Sequence, residues 1–290
     1  MSKDRYLILN ADDYGYNPQS NAAITELFAG GGITASSILA VAPAAKDAVQ
    51  TAARNGYAVG IHFAFNSDDS IRRWQSLTRA PSLNDTKGLP DKALHITLHA
   101  KSAEIRREMD AQHQYLLRGG CLPDHADSHC GTLYGLCGRL FFVQAFRFCR
   151  AHSLPLSLPR KPYFLDRLFD GKTPAPILPL HRAMVALADK MGVLLTDDMV
   201  SHPHGMARIP DYDALRDYYL NELRKLRPGI SEMFLHPAKP PEGADDARGE
   251  WTKREYEYRL LQSGDLLQAA RDVGVRVVSW GDAPFAQGKH

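Results

Sequence analysis

Tyr6-Leu7-Ile8-Leu9-Asn10-Ala11-Asp12-Asp13-Tyr14-Gly15 is a short apolar run that breaks directly into two adjacent carboxylates and a glycine. It reads as a buried strand delivering both acids at its C-terminal tip, with Gly15 supplying the turn. Neighbouring aspartates resist joint ionisation, so the pair makes most sense if a cation binds one and the other acts on a proton. Asp is also a common N-cap residue, and Asp12 and Asp13 could simply cap the helix that follows. The rest of the chain has to separate these readings.

Beyond this strand the pattern alternates. Helical periodicity over 18–28 ends at Gly30-Gly31-Gly32, strands are expected over 33–41 and 57–63, and a helix over 46–55 lies between them. His62 stands near the end of the third strand. Residues 64–101 are polar and carry Pro81, Gly88 and Pro90; the stretch is too long for an ordinary connection and is expected to be a functional loop over the site. Further helices are expected over 102–119, 139–152, 180–191, 213–226 (capped by Asp211 or Asp213) and 252–273, the last with an interruption at Gly264. Strands are expected over 122–128, finishing in His125-Ala126-Asp127-Ser128-His129, and over the proline-containing 154–159. Others follow over 192–196, ending at Asp197-Asp198, over 230–235, ending at His236-Pro237, and over 275–280. About eight strands alternating with helices imply an α/β fold with a parallel sheet and right-handed crossovers, closed or nearly closed into a barrel. No repeat or linker divides the chain, so one domain over residues 1–290 is expected.

The composition sets outer limits. With 44% hydrophobic and 23% charged residues, the 290-residue chain has a soluble, globular character. Its 35 basic and 33 acidic residues leave no electrostatic footprint for nucleic acid, and pairs such as Arg72-Arg73 and Arg106-Arg107 read as solvated faces. No apolar run reaches the roughly 20 residues of a membrane span. Met1-Ser2-Lys3-Asp4-Arg5 enters the first strand without a signal-peptide pattern, so a cytoplasmic location is expected. Cys121, Cys130, Cys137 and Cys149 lack CxxC spacing, which argues against a zinc ribbon or a thioredoxin-type motif and for free thiols.

In parallel β/α folds, active sites gather at the C-terminal ends of strands. Asp12 and Asp13, His62, His125 to His129, Asp197-Asp198 and His236 all fall at such expected ends. Unpaired, these groups would be costly to bury. Two imidazoles and a carboxylate facing one point suit Zn²⁺ and tolerate Mn²⁺, Co²⁺ or Mg²⁺, with positions open for water and substrate. The other carboxylate would then act as general base, and a histidine from another strand could protonate a leaving group. This describes metal-assisted hydrolysis without naming the bond.

The succession Asn10-Ala11-Asp12-Asp13-Tyr14-Gly15, Gly60-Ile61-His62, His125-Ala126-Asp127-Ser128-His129 and Glu232-Met233-Phe234-Leu235-His236-Pro237 resembles the YdjC family of carbohydrate deacetylases, which includes chitooligosaccharide deacetylases and hopanoid-associated members. Asn21-Ala22-Ala23-Ile24, Pro81-Ser82-Leu83 with Gly88, and Arg254 with Glu257 and Leu261 are lesser echoes. The resemblance implies an irregular (β/α) barrel similar to that of polysaccharide deacetylases and hydrolysis of an N-acetyl group from an amino sugar. It also implies that Asp13, His62 and His129 hold one divalent metal ion, with Asp12 as general base and His236 as general acid. Substrate contacts are expected at His125, Asp127, Tyr134, Asp197, Arg254 and Trp280, and the partners are a small-molecule or oligosaccharide substrate and a second copy of the chain in a homodimer.

Two departures bear on substrate choice. Many family members continue after Asp-Ser-His with two further histidines, where this chain has Cys130-Gly131-Thr132-Leu133-Tyr134-Gly135, and the Gly that often follows His-Pro is Ala238. Tyr134 could stack on a sugar face. A phosphoesterase and a noncatalytic sugar-binding protein are the competing readings. The lack of a phosphate-cradling glycine loop disfavours the first, and the retention of both Asp12 and Asp13 disfavours the second.

Overall fold

The computed structural model describes residues 4–68, 73–135, 141–241, 243, 246 and 249–285. Met1, Ser2, Lys3, Arg72, Cys137 and the start of the 139–152 helix lie outside the described residues. The chain opens with β1 (Arg5–Tyr14), α1 (Pro18–Gly30), β2 (Ala35–Ile38), α2 (Ala45–Asn55) and β3 (Val59–Phe63). It continues through α3 (Ala93–His99), α4 (Ser102–Arg118), β4 (Ala126–Ser128), α5 (Phe142–His152), α6 (Tyr163–Leu168) and α7 (Ile177–Met191). β5 (Asp198–Val200), α8 (Tyr212–Arg224), β6 (Gly229–Leu235), α9 (Glu250–Ser263), α10 (Asp265–Asp272) and β7 (Val275–Val277) complete it.

Local chemistry explains many of the boundaries. Asn17 accepts from Ser20 N at 2.8 Å to cap α1, Pro18 occupies its first turn, and Gly31 leaves it at φ 70°. Asp211 is the cap of α8, accepting from Ala214 N. Gly264, at φ 78°, separates α9 from α10.

β1 is the spine of a seven-stranded, all-parallel sheet in the order β4-β3-β2-β1-β6-β5. One edge of β1 pairs with β6 from Arg5 to Ala11. The other edge is shared: β7 takes Arg5–Leu7 and β2 takes residues from Asn10 onward. The expected α/β alternation is present, but two of the eight expected strands are not regular ones. Over 154–159 only Leu156 forms bridges, to Ala126 and to Leu195, because Pro155 and Pro159 have no amide to give a ladder. The 192–196 stretch contributes only the bridge at Leu195, and β5 starts at Asp198. These single bridges span the gap between β4 and β5, so the curled sheet is an irregular barrel.

The interior is layered. Ile8, Ala35, Ile230 and Trp280 fill the end near the strand starts. His125 stacks on Trp280 with ring centroids 4.4 Å apart. Gly60 permits this, because a Cβ there would overlap the His125 ring. Among the described residues no helix is long and apolar enough to cross a membrane.

The long 64–101 connection contains α3 and is fastened down by α4. Fully buried Glu108 accepts from Leu77 N (2.9 Å), Thr78 N (2.9 Å), Thr78 Oγ1 (2.6 Å) and Gln112 Nε2 (3.0 Å). One turn earlier, Glu104 accepts from the Ser82 amide and hydroxyl. Glu108→Ala strands two backbone amides, so urea denaturation is expected to show a loss of about 2–4 kcal/mol. A loss below about 0.5 kcal/mol would mean that water replaces the carboxylate.

Candidate active site

A regular strand sends consecutive side chains to opposite faces, which would part Asp12 from Asp13. Here the pairing of β1 with β2 shifts between Ala11 and Tyr14, and Asp13 sits at φ 70°. Aspartate is one of the few residues that tolerates this left-handed region. The irregularity turns both carboxylates towards the tips of β3, β4 and β6.

Asp13 Oδ1 lies 3.6 Å from His62 Nε2 and 3.5 Å from His129 Nδ1, and the two ring nitrogens are 3.3 Å apart. All three side chains are buried. Among the described residues Asp13 Oδ1 has no hydrogen-bond partner. Three donors at these separations match the roughly 3.4 Å edge of a tetrahedron around a cation with ~2.1 Å bonds. The far side of each ring is fixed by a carboxylate: His62 Nδ1 meets Asp127 Oδ1 at 2.7 Å and Ser37 Oγ at 3.2 Å, and His129 Nε2 meets Asp68 Oδ1 at 2.9 Å. Such partners set the tautomer that leaves the inward nitrogens free. These donors therefore fit a divalent cation. Asp12, His62 and Asp127 also come close enough to hold one, but Asp127 Oδ1 is taken by His62, and Asp12 Oδ1 accepts from Asn10 Nδ2 at 2.7 Å.

Charge separates the two aspartates. Burial pushes Asp13 up, but the Arg254 guanidinium and the neighbouring His129 ring more than offset it and hold the carboxyl well below its usual range. Arg254 donates to Asp13 Oδ2 at 2.7 Å and lies over the Tyr16 ring. Burial also pushes Asp12 up; His62 opposes it, while Asp127, Glu232 and Asp13 add to the rise, and it ends well above its usual range. In both histidines burial opposes the charge, yet Asp127 beside His62 and Asp68 beside His129 raise their pKa values.

His236 Nε2 faces Asp12 Oδ2 across 3.8 Å, wider than a hydrogen bond. Its backbone N donates to Glu257 Oε2 at 2.7 Å, and its Nδ1 is 4.0 Å from the same oxygen. Desolvation lowers His236 to about 4 against the fields of Asp13 and Glu257. Asp12, His62, Asp127, Tyr134 and His236 line one cavity of about 370 Å³.

The other expected substrate contacts are placed differently. Arg254 is committed to Asp13. His125 and Trp280 are 0% and 2% exposed at the opposite end of the barrel, away from the cavity. Asp197 stands at the start of a strand rather than its end: Asp198 pairs with Ser231, and Asp197 Oδ2 accepts from Ile230 N. Tyr134 reaches the cavity, but its hydroxyl donates to Ser157 O at 2.6 Å. The sequence reading missed Asp68, Ser37 and the buried Glu232. Glu232 and Glu257 lay within or near quoted motifs, whereas nothing local marks Asp68.

A family model described as YdjC-like protein matches residues 6–272. The chain belongs to the YdjC-like family. A carbohydrate deacetylase of Geobacillus stearothermophilus is 29% identical over 210 residues, spanning 69% of this YdjC-like chain and 79% of the relative. A carbohydrate deacetylase of Thermoanaerobacter pseudethanolicus is 23% identical over 278 residues, spanning 95% and 98%. A solved structure from Enterococcus faecalis V583, described in terms of cellobiose-phosphate cleavage, covers 96% of this chain and 98% of its own. At TM-score 0.75 and 21% identity it shares the fold.

Two consequences can be measured. Asp127→Ala removes the acceptor that orients His62, and calorimetric titration with Zn²⁺ should show affinity falling about 10–100-fold. Glu232, pushed by burial to about 8 from an ordinary 4.5, keeps a proton in the folded state that the unfolded chain releases. Stability should therefore fall as pH rises between those two values. In chelator-treated protein Glu232→Gln should make that decline shallower, gaining on the order of a few kcal/mol at pH 8, while Asp12, His62 and His129, whose pKa values are also raised, keep the remainder; parallel declines in variant and parent would assign all of it to those groups.

Proposed function

We propose that this YdjC-like protein is a carbohydrate N-deacetylase that hydrolyses the N-acetyl amide of an amino sugar and releases acetate. One divalent cation, Zn²⁺ or Mg²⁺ with Mn²⁺ or Co²⁺ as substitutes, would be held by Asp13, His62 and His129. The observation that carries the reading is the convergence of Asp13 Oδ1, His62 Nε2 and His129 Nδ1 within 3.6 Å of one another, beside the opposed pair Asp12 and His236. The names of the Geobacillus and Thermoanaerobacter relatives support the same reaction class.

Such a cation supplies Lewis-acid polarisation of the amide carbonyl and a positive field that favours ionised Asp12. Asp12 takes a proton from the attacking water at its free oxygen, Oδ2, because Oδ1 is held by Asn10. His236, across the gap from that oxygen, delivers a proton to the departing nitrogen. Its depressed pKa keeps the ring neutral at rest, so the proton it delivers is the one Asp12 has taken from the water, and Glu257 beside Nδ1 stabilises the imidazolium in passing. Asp127 and Asp68 hold the ligand imidazoles in place. A cytoplasmic homodimer completes the proposal, and light scattering that finds only monomer would remove the dimer.

The test is acetate release from N-acetylated amino sugars by protein stripped with chelator and reloaded with single metals. Release should require metal, and His129→Ala should abolish it together with metal binding. Asp12→Asn should keep the metal and lose about 10²–10⁴-fold in kcat. An Asp12→Asn variant with parental turnover would refute the assignment of the base.

A further inference from the structure

The cavity at the catalytic groups extends well beyond them. One end carries Asp12, His62, Asp127 and His236; the rest is walled by Leu158, Phe164, Phe169, Ile177, Leu180 and Met184. These side chains come from the proline-bearing stretch after β4 and from α6 and α7, so the sheet gap opens into an apolar chamber. At about 370 Å³ it far exceeds an acetyl methyl, which needs roughly one water's share of about 30 Å³.

Four polar side-chain groups on this wall already have partners within the protein. The Tyr134 hydroxyl donates to Ser157 O, His181 Nε2 lies 2.7 Å from Pro159 O, Ser157 Oγ pairs with Glu232, and Ser128 Oγ accepts from Leu133 N. Among the described residues lining the cavity, the unpaired buried polar atom is Asp127 Oδ2, at the catalytic end. A sugar ring seated against this wall would find few free side-chain partners for its hydroxyls, which is unfavourable wherever they leave water. A hydrocarbon chain would lose nothing there and gain burial. Because the chamber opens directly off the groups that surround the reacting carbon, the chain it suits is the one attached to that carbon.

We infer that the chamber holds the acyl chain of the substrate, and that the chain cleaves N-acyl amino sugars with acyl groups longer than acetyl in preference to N-acetyl ones. This rests on the amide-hydrolase reading above. Water's oxygen bonds to the acyl carbon, the carbon–nitrogen bond breaks with its electron pair going to nitrogen, and nitrogen takes the proton. A free amino sugar and a fatty carboxylate leave.

The test compares metal-loaded enzyme on N-acetyl-, N-butanoyl-, N-hexanoyl- and N-octanoylglucosamine and on the octyl glycoside of N-acetylglucosamine, following release of the amine. The expected result is a rise in kcat/KM of at least about tenfold from acetyl to octanoyl. Octanoate should also inhibit more strongly than acetate. Ile177→Trp, which narrows the chamber, should reverse the acyl ranking, and Leu180→Trp at an exposed wall position should do the same if the first variant folds poorly. Rates that fall with acyl length, or an octyl glycoside that outperforms the octanoyl amide, would overturn the inference while leaving the hydrolase reading intact. No cleavage of any compound by cation-loaded protein would overturn both.

Discussion

The site depends on Asp13 being held ionised, buried and in a left-handed backbone conformation at the tip of β1. Each of these is unfavourable alone. Arg254 makes the combination tolerable by placing its guanidinium 2.7 Å from Asp13 Oδ2, which leaves Oδ1 directed at His62 and His129. The same arginine accepts from Ala238 N through its own carbonyl and reaches towards His236 O. One residue of α9 thus ties the first strand to the end of β6, and the spacing between Asp12 and His236 follows from that tie. The N-terminal motif has its geometry only because a helix more than 200 positions later is docked against it.

That dependence explains what the sequence could and could not reveal. The alternation of elements, the apolar run of β1 and the histidines at the tips of β3, β4 and β6 are local patterns, and they were legible. The adjacency of Asp12 and Asp13 was legible too, but not the backbone turn at Asp13 that brings both to one side. Asp197 stands at the start of a strand instead of its tip, because which end a residue occupies is set by pairing register, and Asp198 pairs with Ser231 near the start of β6. Trp280 and His125 also fall at expected strand ends, yet they stack on each other at the far end of the barrel. Asp68 lies in the long loop, and nothing in its neighbourhood announces that it will meet His129.

The electrostatics show a division of labour among buried acids. Asp13 and Asp68 sit against cations or imidazoles and are stabilised as anions. Asp12 and Glu232 share the interior with Asp127 and are pushed the other way. A folding domain gains little from three neighbouring buried carboxyls with few partners. Their cost becomes intelligible if a cation and a reacting proton enter the same space, because charge that destabilises the bare chain then favours binding what neutralises it.

The irregular closure of the barrel bears on function as well as on shape. In a regular eight-stranded barrel the interior is filled by layers of side chains from every strand. Here the proline-bearing 154–159 stretch offers only Leu156 to its neighbours, and the sheet between β4 and β5 is spanned without a full ladder. Leu158, the aromatic residues of and just after α6, and Ile177, Leu180 and Met184 of α7 line the chamber that is left beside Asp12. The prolines that weakened the strand signal in the sequence are therefore part of what makes room for a substrate. A sequence that completed the ladder would close the barrel more tightly and fill the chamber beside Asp12.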